Sequence, residues 1–285
     1  MATVFALSLG DALIKSLGGG QTIGLWQLFA VRSLLALPVL FLGALPLCGA
    51  NRLAPHRLGW IAARAVLLTV MWVAYYLSLP HLPLAIAAAA YYTLPLFIVA
   101  FAAMFGGETV GRIQWVGVVL GFIGIVLVLR PSGGAFSPAA ILPLLAAMFY
   151  AAAMVLTRTK CRDEHPATLA IGLNLMFVVT GLAGLAFGSL TGIDGSGFIT
   201  TNWTPMGAIE WRSVAILAGL ILVASVGTAI AYQNAPASTV GTFDFAYVGF
   251  AVIWGAAFFN ERPDAIGVSG IALIVVAGIL AVQRS

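Results

Sequence analysis

Charge is what this 285-residue chain has least of: Asp, Glu, Lys and Arg make up 8% of it, and only nine residues are acidic. Soluble globular domains carry about a quarter charged residues, so that class is excluded. Histidine and cysteine are also scarce, at three and two residues. Cys48 and Cys161 stand far apart with no CxxC or other ligand spacing, which reads as two unpaired thiols and no metal site. A GxxxxGK[ST] phosphate loop is missing, which excludes ATP-driven work by this chain alone. No cofactor and no nucleic-acid partner are expected. The first segment contains Asp11 and Lys15, so it reads as a retained helix rather than a cleaved leader.

Apolar sequence fills the space left. Hydrophobic residues reach 62% and mean hydropathy is +1.08. A membrane crossing needs about 20 mainly apolar residues. Ten such segments fit, at 3–19, 23–45, 58–79, 83–106, 112–130, 138–158, 166–190, 213–235, 238–259 and 264–283, leaving 191–212 as the one loop of any size. Strict two-residue alternation is lacking, so helices rather than a barrel are indicated. The expected fold is an all-α membrane protein with ten transmembrane helices.

The chain also repeats itself. At one fixed offset Pro83 meets Pro236, Phe97 meets Phe250, Phe105 meets Phe258, Glu108 meets Glu261, Gly117 meets Gly270 and Leu127 meets Leu280. Each copy is a long apolar segment ending in a glutamate, followed by a Gly-spaced apolar segment. Two five-segment repeats, 1–132 and 133–285, are therefore expected. Five is odd, so the second must enter the membrane the other way up, around a central cavity. An inverted repeat of this kind is the sequence mark of a secondary transporter and supports alternating access.

With an even number of crossings both termini share one side. Arg52, Arg57, Arg112, Arg158, Lys160, Arg162 and Arg284 fall on that side, against Lys15, Arg130, Arg212 and Arg262 on the other. The positive-inside rule then places both termini in the cytoplasm.

The paired five-helix halves, each with a glutamate closing its fourth helix and glycines spacing its fifth, resemble the drug/metabolite transporter superfamily, and within it the ten-helix EamA type. Pro95 also matches the family's proline in the fourth helix, whereas Val248 stands at the corresponding place of the second half. The resemblance, which extends to amino-acid exporters of the YddG type, implies a bacterial inner-membrane transporter. It further implies a cavity lined mainly by helices 1, 3, 4, 6, 8 and 9, with helices 5 and 10 as peripheral support.

Four ionisable residues sit deep in apolar segments: Asp11, Arg32, Arg64 and Asp244. A charge at the bilayer centre costs about 2.5–3.5 kcal/mol on insertion scales, so each should be paired or face water. Depth alone couples Asp11 with Arg32 and Arg64 with Asp244, and Lys15, four residues after Asp11, competes for it. Such pairs fix packing, or Asp244 carries a proton or meets a substrate ammonium, with Asp11 the other candidate proton carrier. Trp72, Tyr75, Tyr76, Tyr91, Tyr92, Phe245 and Tyr247 form an aromatic set; an interfacial belt accounts for Trp60, Trp115 and Trp211 but fits poorly for Tyr91, Tyr92 and Phe245, which lie deeper. With Asp244 they are the candidate substrate-binding residues. Tyr91 and Asp244 occupy the same repeat position, as do Tyr92 and Phe245, so they should meet near the symmetry axis. Gly117, Gly121 and Gly124 in the fifth helix, with Gly267, Gly270 and Gly278 in the tenth, suit close packing or a homodimer contact.

The expected partners are a small-molecule substrate and the lipid bilayer. Export of aromatic or hydrophobic amino acids leads. Import of a larger metabolite, such as a vitamin or adenosyl compound, and multidrug export are the alternatives. An intramembrane protease is disfavoured: Gly267-Val268-Ser269-Gly270 has the GxSG form, but His56, His81 and His165 all lie in loops, leaving the serine without a base.

Overall fold

A computed structural model of the chain describes residues 2–19, 23–49, 53–105, 111–129, 137–192, 195, 197–234, 246–261 and 264–282. Among these every regular element is helical and there is no strand. In order they are α1 (Ala2–Gly19), α2 (Leu25–Cys48), α3 (Leu58–Ser78), α4 (Leu84–Tyr91), α5 (Leu94–Phe105) and α6 (Arg112–Leu129). A 3₁₀ turn (Pro138–Ala140) then leads into α7 (Ile141–Lys160), followed by α8 (Pro166–Thr191), α9 (Ala208–Asn234), α10 (Ala246–Phe259) and α11 (Ala265–Val282). Each apolar segment carries helix, and among the described residues six helical stretches are long and apolar enough to cross a bilayer.

Local chemistry sets the boundaries. Pro166 opens α8 in the first-turn position, where a missing N–H costs nothing, and His165 Nδ1 accepts the Ala167 N–H at 3.2 Å. Gly192 closes the helix at φ 65°, a left-handed conformation that glycine adopts without strain. The fourth segment, expected as one helix, is two. The break falls at Tyr92–Thr93, because Pro95 has no N–H to give the Tyr91 carbonyl four residues back. The Thr93 hydroxyl donates instead to the Ala90 carbonyl at 2.9 Å.

The helix pairs follow one pattern. α1 packs on α9 and α10, while α7 packs on α3 and on the α4–α5 pair. α2 packs on α9, and α8 packs on α3. Exchanging the first five segments with the last five leaves these pairs unchanged; α8 also packs on α9, for which α2 and α3 form no equally close counterpart. The pairs α2–α8, α4–α10 and α6–α11 map onto themselves. Glycine permits two of those close approaches. A side chain at Gly181 in α8 would come within 2.6 Å of the Trp26 carbonyl of α2. One at Gly124 in α6 would meet Ile274 of α11 at 2.8 Å. Gly124 of the fifth segment thus serves the contact with the tenth, while Gly121 beside it makes room for Leu96 of α5.

The connections gather at two ends. At one, the buried Glu164 carboxylate accepts the backbone N–H groups of His56 and Arg57, with 2.7 Å to Arg57. Gln233 Nε2 donates there to the carbonyls of Cys161 and Glu164 at 3.0 and 2.7 Å. At the other, the 192–207 connection folds onto the start of α2. Gln27 exchanges hydrogen bonds with Thr204, and Leu25 N–H donates to Phe198 O at 2.8 Å. The outer face is strongly apolar, with Leu42, Phe122, Val179 and Ile253 all exposed. On a soluble protein such a surface would drive association; in a bilayer it meets lipid.

Candidate functional site

Between the two ends lies a central cavity. Its wall is built by Leu7 and Asp11 (α1), Arg64, Leu68, Met71 and Trp72 (α3), Tyr91, Tyr92 and Leu94 around the α4–α5 break, and Tyr150 and Met154 (α7). Leu173 (α8), Ile221, Ala224, Ser225 and Thr228 (α9) and Tyr247 (α10) complete it. α6 and α11 contribute nothing. The cavity volume is about 40 Å³. It is therefore a narrow slit, largely filled by its own side chains.

Aromatic rings make the slit. Tyr92 stacks on Tyr247 with centroids 4.6 Å apart and planes at 21°. Tyr91 meets Tyr75 at 4.9 Å and Tyr150 at 5.9 Å, the latter edge to face. Trp72 lies 4.9 Å from Tyr76. The chain break at Tyr92–Thr93 turns Tyr91 and Tyr92 together into this space.

Asp11 is buried at the middle of α1. Its carboxylate can only accept, so the short bond to Tyr247 is donated by the phenol. Tyr247 must then accept from Tyr75, whose hydroxyl lies 2.9 Å away. A donor chain, Tyr75 to Tyr247 to Asp11, therefore joins α3, α10 and α1. Tyr76 also reaches Asp11 and accepts from Arg32 Nη1 at 3.4 Å. The pairing expected from depth is thus indirect: Arg32 and Asp11 share a level, but Tyr76 stands between them. The Arg32 guanidinium lies 5.5 and 4.9 Å from the rings of Phe29 and Phe177, an arrangement that suits a planar cation. A small side chamber, lined in part by Arg32, Trp72 and Tyr76, touches the far side of Asp11.

Lys15 does not compete for Asp11. Its ammonium bonds to Glu261 Oε1 and to the Leu82 carbonyl, both at 2.6 Å. Glu261 Oε2 accepts the Leu84 N–H at 2.7 Å and so caps α4. This latch ties α1 and α4 to the end of α10. Arg64 donates from Nε to Thr157 Oγ1 at 2.7 Å and from Nη1 to the Leu169 carbonyl at 3.5 Å. Its expected partner Asp244 lies outside the described residues, as do Phe245 and Glu108. Ser269 donates to the Ile266 carbonyl of its own helix at 2.7 Å. Tyr150, Met71, Met154, Ser225 and Thr228 join the cavity without having been singled out in the sequence. Only the lone Tyr150 in an apolar segment offered a signal.

Comparison with known proteins decides the family. The EamA-like transporter family matches residues 1–130 and again 137–283. The chain belongs to the EamA-like transporter family. A riboflavin transporter of Rhizobium johnstonii is 31% identical over 261 residues, covering 91% of this chain and 80% of that protein. The pseudopaline exporter CntI of Pseudomonas aeruginosa is 26% identical, covering 96% and 90%. An S-adenosylmethionine uptake transporter of Rickettsia conorii is 24% identical, covering 80% and 72%. A solved crystal structure superposes with a TM-score of 0.67 at 21% identity, over 98% of this chain and 96% of that one, and shows the shared fold. This EamA protein is accordingly a multi-pass membrane transporter whose surroundings are lipid and whose cargo is a small molecule. The match to exporters of amino acids in particular finds no counterpart among these relatives.

Proposed function

We propose that this protein is a secondary transporter that moves small, ring-bearing organic metabolites through the central slit by alternating access. In this reading residues 1–132 and 133–285 are inverted five-helix repeats that rock about the cavity, in a bacterial inner membrane with both termini cytoplasmic. Pairwise helix packing that survives exchange of the halves supports it, as does the family match in two consecutive stretches.

One observation carries the reading: the slit is walled by aromatic rings from both halves and holds the carboxylate of Asp11, bonded across the halves by Tyr247. Stacked rings accept another flat ring at little entropic cost. A carboxylate with phenol donors can exchange them for a donor on the cargo. Riboflavin and S-adenosylmethionine, named for two of the relatives, share a flat heteroaromatic ring. Aromatic amino acids are the smallest members of the same class. Substrate exit requires the slit to widen, and the latch of Lys15 with Glu261 closes one end until it does.

The test is counterflow in proteoliposomes loaded with riboflavin, S-adenosylmethionine or L-tryptophan. At least one should exchange, and Tyr91→Ala should abolish exchange while leaving the protein folded. Exchange of none of them, or exchange indifferent to Tyr91→Ala, would overturn the reading.

A further inference from the structure

Among the described residues the cavity wall carries two buried charges, Asp11 and Arg64. Asp11 is held by Tyr247, which is bonded in turn to Tyr75. Arg64 stands eleven residues before Tyr75 on the same helix, about 16 Å along its axis at 1.5 Å per residue. The guanidinium does not reach back toward Asp11. Its bonds go to Thr157, near the end of α7, and to Leu169, one turn into α8. Both lie at the Glu164 end of the molecule, whereas Asp11 lies at mid-height. Helical side chains lean toward the N-terminus of their helix, which brings the Tyr75 phenol toward Arg64 and leaves a gap on the order of 10 Å between carboxylate and guanidinium. An α-amino acid carries its ammonium and carboxylate about 3 Å apart because they share one carbon. It cannot engage Asp11 and Arg64 together.

Both charges are functional candidates on independent grounds. Each is buried, each lines the slit, and among the described residues neither has an ion-pair partner within 4.0 Å. Burying an uncompensated cation is expensive, and Arg64 makes two neutral hydrogen bonds there. Trp72, Tyr91, Tyr150 and Met71 line the same slit, a wall suited to a ring.

We infer that the cargo is an elongated dipolar molecule, with a cationic or N–H donor group at Asp11, a flat ring in the slit and an anionic group at Arg64, its ends roughly 10 Å apart. The inference rests on the transport reading above and narrows it. The amino-acid cargo expected from sequence then fills only one end of the site.

A molecular ruler tests it. L-phenylalanine, glycyl-phenylalanine and glycyl-phenylalanyl-glycine keep one ring while the charge separation grows by about 3.5 Å per residue. Binding is read as thermal stabilisation of the purified full chain. The tripeptide should bind at least about tenfold more tightly than phenylalanine, the worth of one engaged charge. Its C-terminal amide, which removes the anion without any protein variant, should lose that advantage. Arg64→Gln should lose it too, and Arg64→Lys should keep it. Equal or tighter binding of phenylalanine, indifference to the amide, or no binding by any ruler member would overturn the inference. Riboflavin counterflow in parallel vesicles separates the two readings: Tyr91-dependent exchange without a length preference sinks the ruler alone, and absence of all exchange sinks transport itself.

Discussion

At the scale of single residues, the cost of polarity in hydrocarbon decides the site. Tyr247 has no freedom in its role, since Asp11 can only accept and Tyr75 can then only donate. Tyr247→Phe removes the central donor and leaves a buried carboxylate short of one bond, a penalty of about 1–3 kcal/mol. Counterflow should fall by at least about tenfold at normal expression, 1.4 kcal/mol being one decade. Unchanged flux would remove the chain from the mechanism. Arg32 is the structural counterpart. Clasped by Phe29 and Phe177, it should tolerate Arg32→Lys poorly, because an ammonium lacks the planar face that stacks on rings. The measurement is the yield of monodisperse protein in detergent, and normal yield would refute the packing role. Much of this site was legible in sequence because Asp11, Arg64, Trp72, Tyr91, Tyr92 and Tyr247 are residues that lipid-facing helices avoid. Met71, Met154, Ser225 and Thr228 were not, since such residues are ordinary in any membrane helix. Partners were harder still. Depth predicts the level of a side chain but not its azimuth, so Arg32 was matched to Asp11 without the intervening Tyr76.

At the scale of elements, the latch is the feature with most leverage. Lys15, Glu261 and the Leu84 N–H join the end of α10 to α1 and α4. The pair is mostly buried, at 11% and 21% side-chain exposure, so it is worth more than a surface ion pair. A charge-assisted bond of about 1.5–3 kcal/mol biases a two-state equilibrium by roughly one to two decades. Lys15→Met should open the Glu261 end, read as faster labelling of a cavity cysteine from that end. Reversing both charges should restore closure only in part, because a lysine at 261 cannot accept the Leu84 N–H. Equal labelling rates would show the latch to be passive. The sequence marked Glu261 by its repeat position, but sequence separation hid its partner. The break of α4 from α5 was signalled by Pro95, whereas continuity of apolar character concealed it.

At the scale of the whole molecule, the all-helical, membrane-spanning character was legible because hydrocarbon thickness imposes a length on every crossing. Sidedness rests on the Lys/Arg distribution alone. In a variant lacking native cysteines, Trp203→Cys, exposed in the 192–207 connection, should react with an impermeant maleimide in intact cells. Reaction only after lysis would invert the topology.

The central claim is that one cavity serves both sides of the membrane, and the most direct measurement places a thiol inside it. Ser225 lines the slit, and Ser225→Cys exchanges one hydroxyl for a thiol. Cys161 is removed in this variant, although its burial already raises the thiol above its ordinary value and blunts its reactivity. In oriented vesicles, impermeant maleimide added to either face should label Cys at position 225, slowly because the slit is closed, and transported cargo should slow labelling from both faces. Labelling from one face only, unaltered by cargo or by Lys15→Met, would contradict alternating access through this cavity.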